Sequence, residues 1–292
     1  MPTQAHLDGF DPLAEDDSTT SVALSQIFEV SRKREVQNIL KSYTGTFDLF
    51  SELLQNSLDA VQARQRLGAA GYEPHVWVSI DIPDRKVGVV DNGIGMSEEQ
   101  LKYCLRPSVS FKKQADLRGH KGVGATFLAY GFSFIKLQSK QNNAGVAVIL
   151  RQGRQWAEDS SGTIPRPTLS ATEFDSPQLA RDESGTSVEI IVGKSPGERP
   201  RDLAWLGARS AEQWYNVLRI KTPLGGVYLS TSKFSPRVTI LVRSSDKEIS
   251  EYTKNRAEYY YPHEIPNLKV QSLRDVSKAA DAIQGDSQNK AP

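Results

Sequence analysis

Glu52, Asn56 and Asp59 are three polar residues at helical spacing in an otherwise amphipathic stretch. Positions i, i+4 and i+7 share one side of a helix, so the pattern predicts a stripe of two carboxylates and an amide. Oxygen ligands suit Mg²⁺, which keeps several waters, and a carboxylate within reach of such a water can accept its proton. The alternative is an amphipathic helix with a solvated polar face, and the helix taken alone favours this simpler interpretation.

Two glycine-containing segments follow this helix. Asp91, Gly93 and Gly95 come directly after the apolar run 86–90, and the residues from Gly119 to Gly124 open another apolar segment. Glycine lets the backbone approach a ligand closely, and consecutive amides at a glycine turn bind phosphate oxygens. The Asp-Asn-Gly sequence also fits a tight turn closed by an Asx hydrogen bond. The sequence contains no Walker A pattern, so a phosphate site here would be of another type.

The order of these segments resembles the GHKL ATPases, the superfamily of gyrase, the heat-shock chaperones, histidine kinases and MutL. The matching motifs are Glu52-x-x-x-Asn56-x-x-Asp59, Asp91-x-Gly93-x-Gly95, the turn from Gly119 to Gly124, and Gly185-Thr186 before a strand-like run. The resemblance covers residues 35–195 well and 200–245 loosely, and it is strongest to the MORC-type and heat-shock-chaperone-like branches. It implies a Bergerat-type fold, which is an α+β two-layer sandwich with a mixed, mainly antiparallel sheet and helices on one face.

The resemblance also implies roles in magnesium-dependent ATP hydrolysis. Glu52 would activate the attacking water, Asn56 would coordinate Mg²⁺, and Asp91 with Thr186 would read adenine. The other residues expected at the nucleotide are Gly93, Gly95, Met96, Lys112, Gly119, Lys121, Gly122, Val123 and Gly124. Simpler explanations remain for some of them: Met96 as core packing, the two lysines as solvated side chains, and Thr186 as a strand-surface residue.

The predicted function is therefore a slow ATPase that acts as a nucleotide-driven conformational or dimerisation switch. An ATP-dependent homodimer is expected, and the MORC-like continuation favours DNA-directed or defence-type remodelling. The main alternative is an ATP-gated protein-binding or chaperone-like module with little turnover. A histidine kinase is disfavoured, because Glu52 matches the hydrolysing branches and no phosphoacceptor helix precedes the domain. A plain scaffold with coincidental motifs is the third alternative.

The composition shows no strong charge bias. The 292 residues are 38% hydrophobic and 24% charged, with a formal net charge of +1. Bulk charge thus indicates neither a nucleic-acid nor a membrane partner, although a local basic patch would still allow a nucleic acid. The single Cys104 cannot form an internal disulfide. No signal pattern or membrane-length apolar run occurs, so the cytoplasm is the expected compartment.

Hydrophobic periodicity predicts the elements that must position these residues. Helices are predicted at 25–43, 47–63, 97–105 and 202–218, and strands at 75–82, 86–90, 132–137, 145–151, 186–192, 221–229 and 238–242. The hairpin formed by 75–90 would place Asp91 at a strand end beside the helix that carries Asn56. Prolines interrupt 154–181, which is predicted to be mostly loop with one edge strand.

Four regions are predicted along the chain. They are a flexible acidic arm at 1–22, the GHKL ATPase domain at 23–195, a partial transducer-like α/β region at 200–272, and a disordered tail or stub of a longer protein at 273–292. A Gly/Pro/Lys-rich linker marks the boundary before residue 200. In related ATPases a transducer lysine reaches the γ-phosphate. Lys221 is a candidate by position, against the simpler role of a charge at a helix C-terminus.

Overall fold

The computed structural model describes residues 22–68, 70–109, 122–226, 234, 236–246 and 248–254, with the backbone alone at 22–26. The predicted tail lies outside these residues, as does the predicted acidic arm apart from Val22. Within the described residues there are eight helices. They are α1 (Val22–Ser42), α2 (Asp48–Arg66), α3 (Glu98–Tyr103), α4 (Gly124–Tyr130), α5 (Gly153–Glu158), α6 (Pro177–Arg181), α7 (Ala211–Lys221) and α8 (Pro223–Gly226).

Eight strands in the described part of the chain form one mixed sheet. They are β1 (His75–Asp81), β2 (Lys86–Asp91), β3 (Phe134–Gln141), β4 (Ala144–Arg151), β5 (Leu169–Ala171), β6 (Gly185–Ile191), β7 (Arg237–Ser245) and β8 (Glu248–Lys254). Their order across the sheet is β5-β4-β3-β6-β2-β1-β7-β8. The pairing of β1 with β7 is parallel and the other pairings are antiparallel. The predicted α+β sandwich with a mainly antiparallel sheet is confirmed.

The strand register explains where the core lies. Residues paired across neighbouring strands point to the same face, so each alternate position contributes to a row that crosses the sheet. One row contains Val78, Val89, Val188 and Leu137, and the next contains Ile80, Val87, Ile190 and Ile135. Most of these side chains are fully buried under the helices, whereas Ser79 between two of them is exposed. Burial of each aliphatic side chain contributes roughly 1.5–3 kcal/mol, so this one-sided pattern holds the helix layer on a single face.

The hairpin that joins β3 to β4 shows local sequence control. Its two turn residues, Asn142 and Asn143, have φ values of 50° and 68°. Asparagine tolerates this left-handed conformation, which a two-residue type I′ hairpin turn requires at both positions. The predicted strands on either side of this turn are confirmed, with β3 extending further towards the turn than expected.

Several elements differ from the prediction. α7 begins at Ala211 and not near 202, because Ser210 caps it and forms a capping box with Gln213. The strand predicted at 221–229 is wrong where the structure describes it, since Pro223 opens the short helix α8. Strand β8 was missed because its polar sequence lacks clear alternation.

The region 154–181 contains more regular structure than predicted. β5 is the expected edge strand, but α5 and α6 are two short helices that the prolines obscured. Pro177 occupies the first turn of α6, where proline is tolerated, and the Ser176 side chain caps the helix.

The segment after residue 200 continues the same sheet and core. β7 pairs with β1, and Trp214 of α7 packs on Phe50 of α2 with ring centroids 5.5 Å apart. Trp214 is fully buried. The domain boundary near 195–200 stays a prediction. Strands β7 and β8, which follow it, extend the sheet formed by β1 to β6.

Candidate functional site

The predicted polar stripe lies along α2 at the edge of its buried face. The apolar face consists of Leu49, Phe50, Leu53, Leu54, Leu58 and Val61. Glu52 and Asn56 are half-buried beside it, and Asp59 is only 2% exposed. The stripe is therefore not the solvated surface of an ordinary amphipathic helix. It borders the protein interior.

Glu52 lies between a tyrosine and the glycine turn. The Tyr43 hydroxyl donates a hydrogen bond to Glu52 Oε1 at 2.8 Å. A Cβ atom added to Gly124 would lie only 1.9 Å from Glu52 Oε2, so the carboxylate rests directly against this glycine. The predicted general base thus faces the turn predicted to hold phosphates, although the two are far apart in the sequence.

Asp91 is placed by strand periodicity and register. It ends β2 on the same face as Val87 and Val89, and it pairs with Thr186 of β6. Thr186 in turn pairs with Ser139 of β3. Asp91, Thr186 and Ser139 form a polar row that borders the buried aliphatic rows and faces the helix layer.

The Asp91 carboxyl is 3% exposed and is held by local hydrogen bonds. The Gly93 N–H donates to its Oδ1 at 2.9 Å, and the Ser57 hydroxyl of α2 also donates to it. Burial raises the pKa of Asp91 to about 7, while the bonds from Gly93, Ser57 and the Thr186 backbone act in the opposite direction. The hydrogen bond from the Gly93 N–H is the Asx bond expected if Asp-Asn-Gly is simply a tight turn. The tight turn and the buried acid therefore occur together.

Gly93 and Gly95 are required by close packing. A Cβ atom at Gly93 would lie 2.5 Å from the carbonyl carbon of Ala60, and the next residue donates its N–H to the Ala60 carbonyl at 3.3 Å. Gly95 has a φ of +63°, and a Cβ there would lie 1.9 Å from the Lys140 carbonyl oxygen. These glycines let the turn after Asp91 sit directly on the backbone of α2 and of β3.

Ser139 is a site residue that sequence analysis missed. Its hydroxyl accepts a hydrogen bond from the Met96 N–H at 2.8 Å and lies 3.2 Å from both the Gly185 carbonyl and the Thr186 hydroxyl. Ser139 is fully buried, while Met96 is half-buried and packs against the core. No sequence signal identified it, because Ser139 lies beyond the strand predicted at 132–137 and its importance depends on a pairing register that cannot be read from local sequence.

Arg64 is a second residue that was missed. It donates to the carbonyl oxygens of Asn92 at 2.9 Å and Ser184 at 3.2 Å, and its guanidinium lies 4.7 Å from the ring centroid of Tyr72. The side-chain oxygen of Asn92 accepts a hydrogen bond from the backbone N–H of His75 at 2.8 Å. Arg64 thereby joins the last turn of α2 to the segment directly after β2 and to the segment directly before β6.

The glycine turn is described in part. Gly122 has a φ of +65°, Val123 precedes the first helical residue of α4, and Gly124 begins that helix. Lys112, Gly119 and Lys121 lie outside the described residues, and their roles stay predictions. Lys221 is exposed at the end of α7, and its proposed contact with the γ-phosphate is likewise untested.

Comparison with known proteins decides the family. Residues 43–186 match the family model for the histidine kinase-, DNA gyrase B- and HSP90-like ATPases. This segment is a GHKL-type ATPase domain. The matched segment contains α2, the polar row and the glycine turn, so the family assignment and the site geometry concern the same residues.

Curated relatives of the chain include chaperones named HtpG. The chain is 25% identical to HtpG of Nitrobacter hamburgensis over 234 residues, covering 62% of this chain and 35% of that protein. The values for HtpG of Nitrobacter winogradskyi are 25% over 223 residues, with the same two coverages. HtpG of Polaromonas naphthalenivorans is 28% identical over 184 residues, covering 54% of this chain and 27% of that protein. The chain therefore spans about a third or less of the length of these relatives.

The donor set of the GHKL site suits Mg²⁺ held mainly by a nucleotide. Among the described residues, no group of three or more His, Cys, Asp or Glu side chains could bind a metal ion by itself. Asn56 supplies an amide oxygen one helical turn from Glu52. A single protein ligand is sufficient for Mg²⁺ when phosphate oxygens and waters complete its coordination.

The helices that the structure describes include none with the length and apolar character of a membrane span.

Proposed function

We propose that the chain binds ATP with Mg²⁺ and hydrolyses it slowly, and that the resulting conformational change is its useful output. The observation that carries this proposal is that one helix reaches both ends of the site. Glu52 of α2 lies against Gly124 of the glycine turn, and Ser57, just over one turn later, donates to the buried Asp91. A nucleotide bound along α2 would place its base at Asp91 and its terminal phosphate at the turn.

At the base end, the Asp91 carboxylate accepts a hydrogen bond from the exocyclic amine of adenine, with Thr186 beside it. A buried acceptor discriminates strongly against bases that offer no donor there, because it would then be left unpaired. The turn at Gly93 and Gly95 and the partly buried Met96 form the adjoining wall. At the other end, backbone amides from Gly122 to Gly124 hold phosphate oxygens.

The position of Glu52 supports a role as general base in hydrolysis. Its carboxylate accepts a proton from a water molecule while that water's oxygen bonds to the γ-phosphorus. The bond between the γ-phosphorus and the bridging oxygen breaks, and ADP and phosphate leave. Asn56 and the phosphates would hold Mg²⁺, which would supply charge neutralisation at the phosphate oxygens.

Calorimetry with ATP, in the presence and absence of Mg²⁺, followed by phosphate release from the same sample, tests this proposal. Mg²⁺-dependent binding and slow release are expected from the unaltered chain. Glu52→Ala should bind ATP and release no phosphate above background. A folded sample that binds no adenine nucleotide would refute the proposal.

We further propose that ATP drives formation of a homodimer and that the effector is a protein client. The relatives reported above are named as chaperones, and the formal charge of +1 provides no general attraction to nucleic acid. The DNA-directed function expected from the MORC-like resemblance is the competing proposal. Molecular mass in ATP and in ADP tests the dimer.

Two binding assays separate these effectors. Suppression of aggregation of an unfolded model protein, with ATP and without it, is expected for the chaperone-like function. A gel shift with duplex DNA at two salt concentrations tests the other, because phosphate contacts weaken steeply as salt rises. Salt-sensitive DNA binding without any effect on aggregation would favour the DNA-directed function.

A further inference from the structure

The hydrogen bond from Tyr43 to Glu52 has no place in the mechanism described so far. Tyr43 lies in the connection between α1 and α2, outside the motifs that predicted the site. Its hydroxyl donates to Glu52 Oε1 at 2.8 Å. The general base therefore has one of its two oxygens occupied by a side chain from outside its own helix.

The tyrosine ring is fixed by packing. It stacks on the Phe127 ring of α4, with centroids 4.0 Å apart and an interplanar angle of 7°. Phe127 is 5% exposed and contacts the ring of Phe132 edge-on at 5.6 Å. The Tyr43 N–H also donates to the Leu40 carbonyl at 3.2 Å. The position of the hydroxyl is therefore set by α1 and α4 and not by Glu52.

The second oxygen of Glu52 faces the opposite way. Glu52 Oε2 is the atom that a Cβ on Gly124 would approach most closely, at 1.9 Å, whereas Oε1 would be 3.4 Å from it. Tyr43 thus holds Oε1 while Oε2 lies at the glycine turn. A free glutamate side chain samples many rotamers, and a hydrogen bond from a fixed donor selects one of them.

We propose that Tyr43 is a positioning residue whose hydroxyl holds the Glu52 carboxylate with Oε2 turned towards the attacked phosphate. This inference rests on the proposed ATPase function. Burial and the neighbouring Glu52 charge raise the pKa of Tyr43 well above its usual value, so the phenol remains protonated and able to donate. The alternative is that Tyr43 only fills space against Phe127.

Tyr43→Phe separates these roles because it keeps the ring and removes the hydroxyl. We expect kcat for ATP to fall roughly 10- to 100-fold, the equivalent of one hydrogen bond to a charged group. The calorimetric Kd for ATP should stay within about twofold, because the lost contact acts on the base and not on the nucleotide. The matched control is Tyr215→Phe. Tyr215 is a fully buried residue of α7, and its ring contacts the ring of Tyr252 in β8. This control should leave kcat unchanged.

A double-mutant cycle shows whether Tyr43 acts through Glu52. Glu52→Asp withdraws the carboxylate by one methylene and so breaks the contact with Tyr43 in a protein that still has a base. In that background Tyr43→Phe should cause no further loss of kcat in single-turnover measurements. Two results would show a packing role and overturn the proposal. One is an equal loss of kcat from Tyr43→Phe in the wild-type and Glu52→Asp backgrounds. The other is a loss of ATP affinity and thermal stability that parallels the loss of kcat.

The unaltered chain distinguishes this inference from the function on which it rests. If that chain neither binds nor hydrolyses ATP, the proposed function fails and the role of Tyr43 fails with it. If it hydrolyses ATP and Tyr43→Phe has the same kcat, only the positioning role is refuted.

Discussion

Replacing Gly124 by alanine should remove hydrolysis while leaving the fold and nucleotide binding almost intact. The new Cβ would lie 1.9 Å from Glu52 Oε2 and 2.7 Å from Glu52 Cδ. Ordinary contact begins near 3.4 Å, so the oxygen must move by about the difference, 1.5 Å. A misplacement of about 1 Å costs on the order of 100-fold in rate, which corresponds to about 2.7 kcal/mol of transition-state stabilisation.

The stability cost of Gly124→Ala should be small for two reasons. The obstructing atoms are the end of a flexible side chain, which can rotate away. Gly124 is also the first residue of α4, and alanine is favoured over glycine in a helix by up to about 1 kcal/mol. The free energy of unfolding, measured in urea, should therefore change by less than about 1 kcal/mol, and the calorimetric Kd for ATP should change little.

Gly93→Ala provides the contrasting control. Its Cβ would lie 2.5 Å from the backbone carbon of Ala60, and a helix backbone cannot rotate out of the way. This variant should lose roughly 1–3 kcal/mol of stability, as overpacked sites do, and should also lose nucleotide binding. Phosphate release, urea unfolding and calorimetry on both variants complete the comparison. A Gly124→Ala protein that hydrolyses ATP at the wild-type rate would refute the assignment of Glu52 as general base.

Three further predictions concern single groups. Glu52→Ala should lower kcat by about 10²- to 10⁴-fold with ATP affinity retained. Asp91→Asn should weaken ATP binding roughly 10- to 100-fold, because it replaces a hydrogen-bond acceptor by a group that also donates. Calorimetry and phosphate release distinguish the two variants, and equal ATP affinities for both would contradict the assignment. Because the pKa of Asp91 is raised to about 7, its proton stabilises the fold fully below the ordinary value of 3.8, and this contribution is lost as pH rises through 7. Urea unfolding at pH 5 and pH 8 should thus show a larger loss of stability with pH in the wild type than in Asp91→Asn, and parallel losses would count against the shift. Ser139→Ala removes the acceptor of the Met96 N–H and should cost about 1–3 kcal/mol in unfolding free energy, with Ser79→Ala on the exposed face as a control that should change little.

Local sequence was sufficient for features that lie within one element. The spacing of Glu52 and Asn56 predicted their shared side of α2, since helix geometry repeats every 3.6 residues. The apolar run 86–90 and the turn before it predicted a hairpin that places Asp91 at a strand end, and this hairpin is confirmed. The motifs also indicated the family correctly, because close backbone approach imposes glycine at particular positions.

Interruptions and caps limited that local prediction. Prolines in 154–181 obscured two short helices, and the apolar run after Lys221 was interpreted as a strand although Pro223 opens a helix. Proline in the first turn marks the start of α6 and of α8, whereas periodicity over so few residues could not identify these helices.

Tertiary structure alone decided which of these elements meet. The contact of Tyr43 with Glu52, the approach of Glu52 to Gly124, and the alignment of Ser139 with Asp91 all join separate elements. The raised pKa of Asp91 likewise depends on burial by the helix layer. The local sequence of a segment determines its periodicity, but strand register and side-chain packing result from many non-local contacts acting together. The sequence by itself therefore determined the chemical groups and the face on which each lies, and the assembled sheet and helices determined the distances at which they can act.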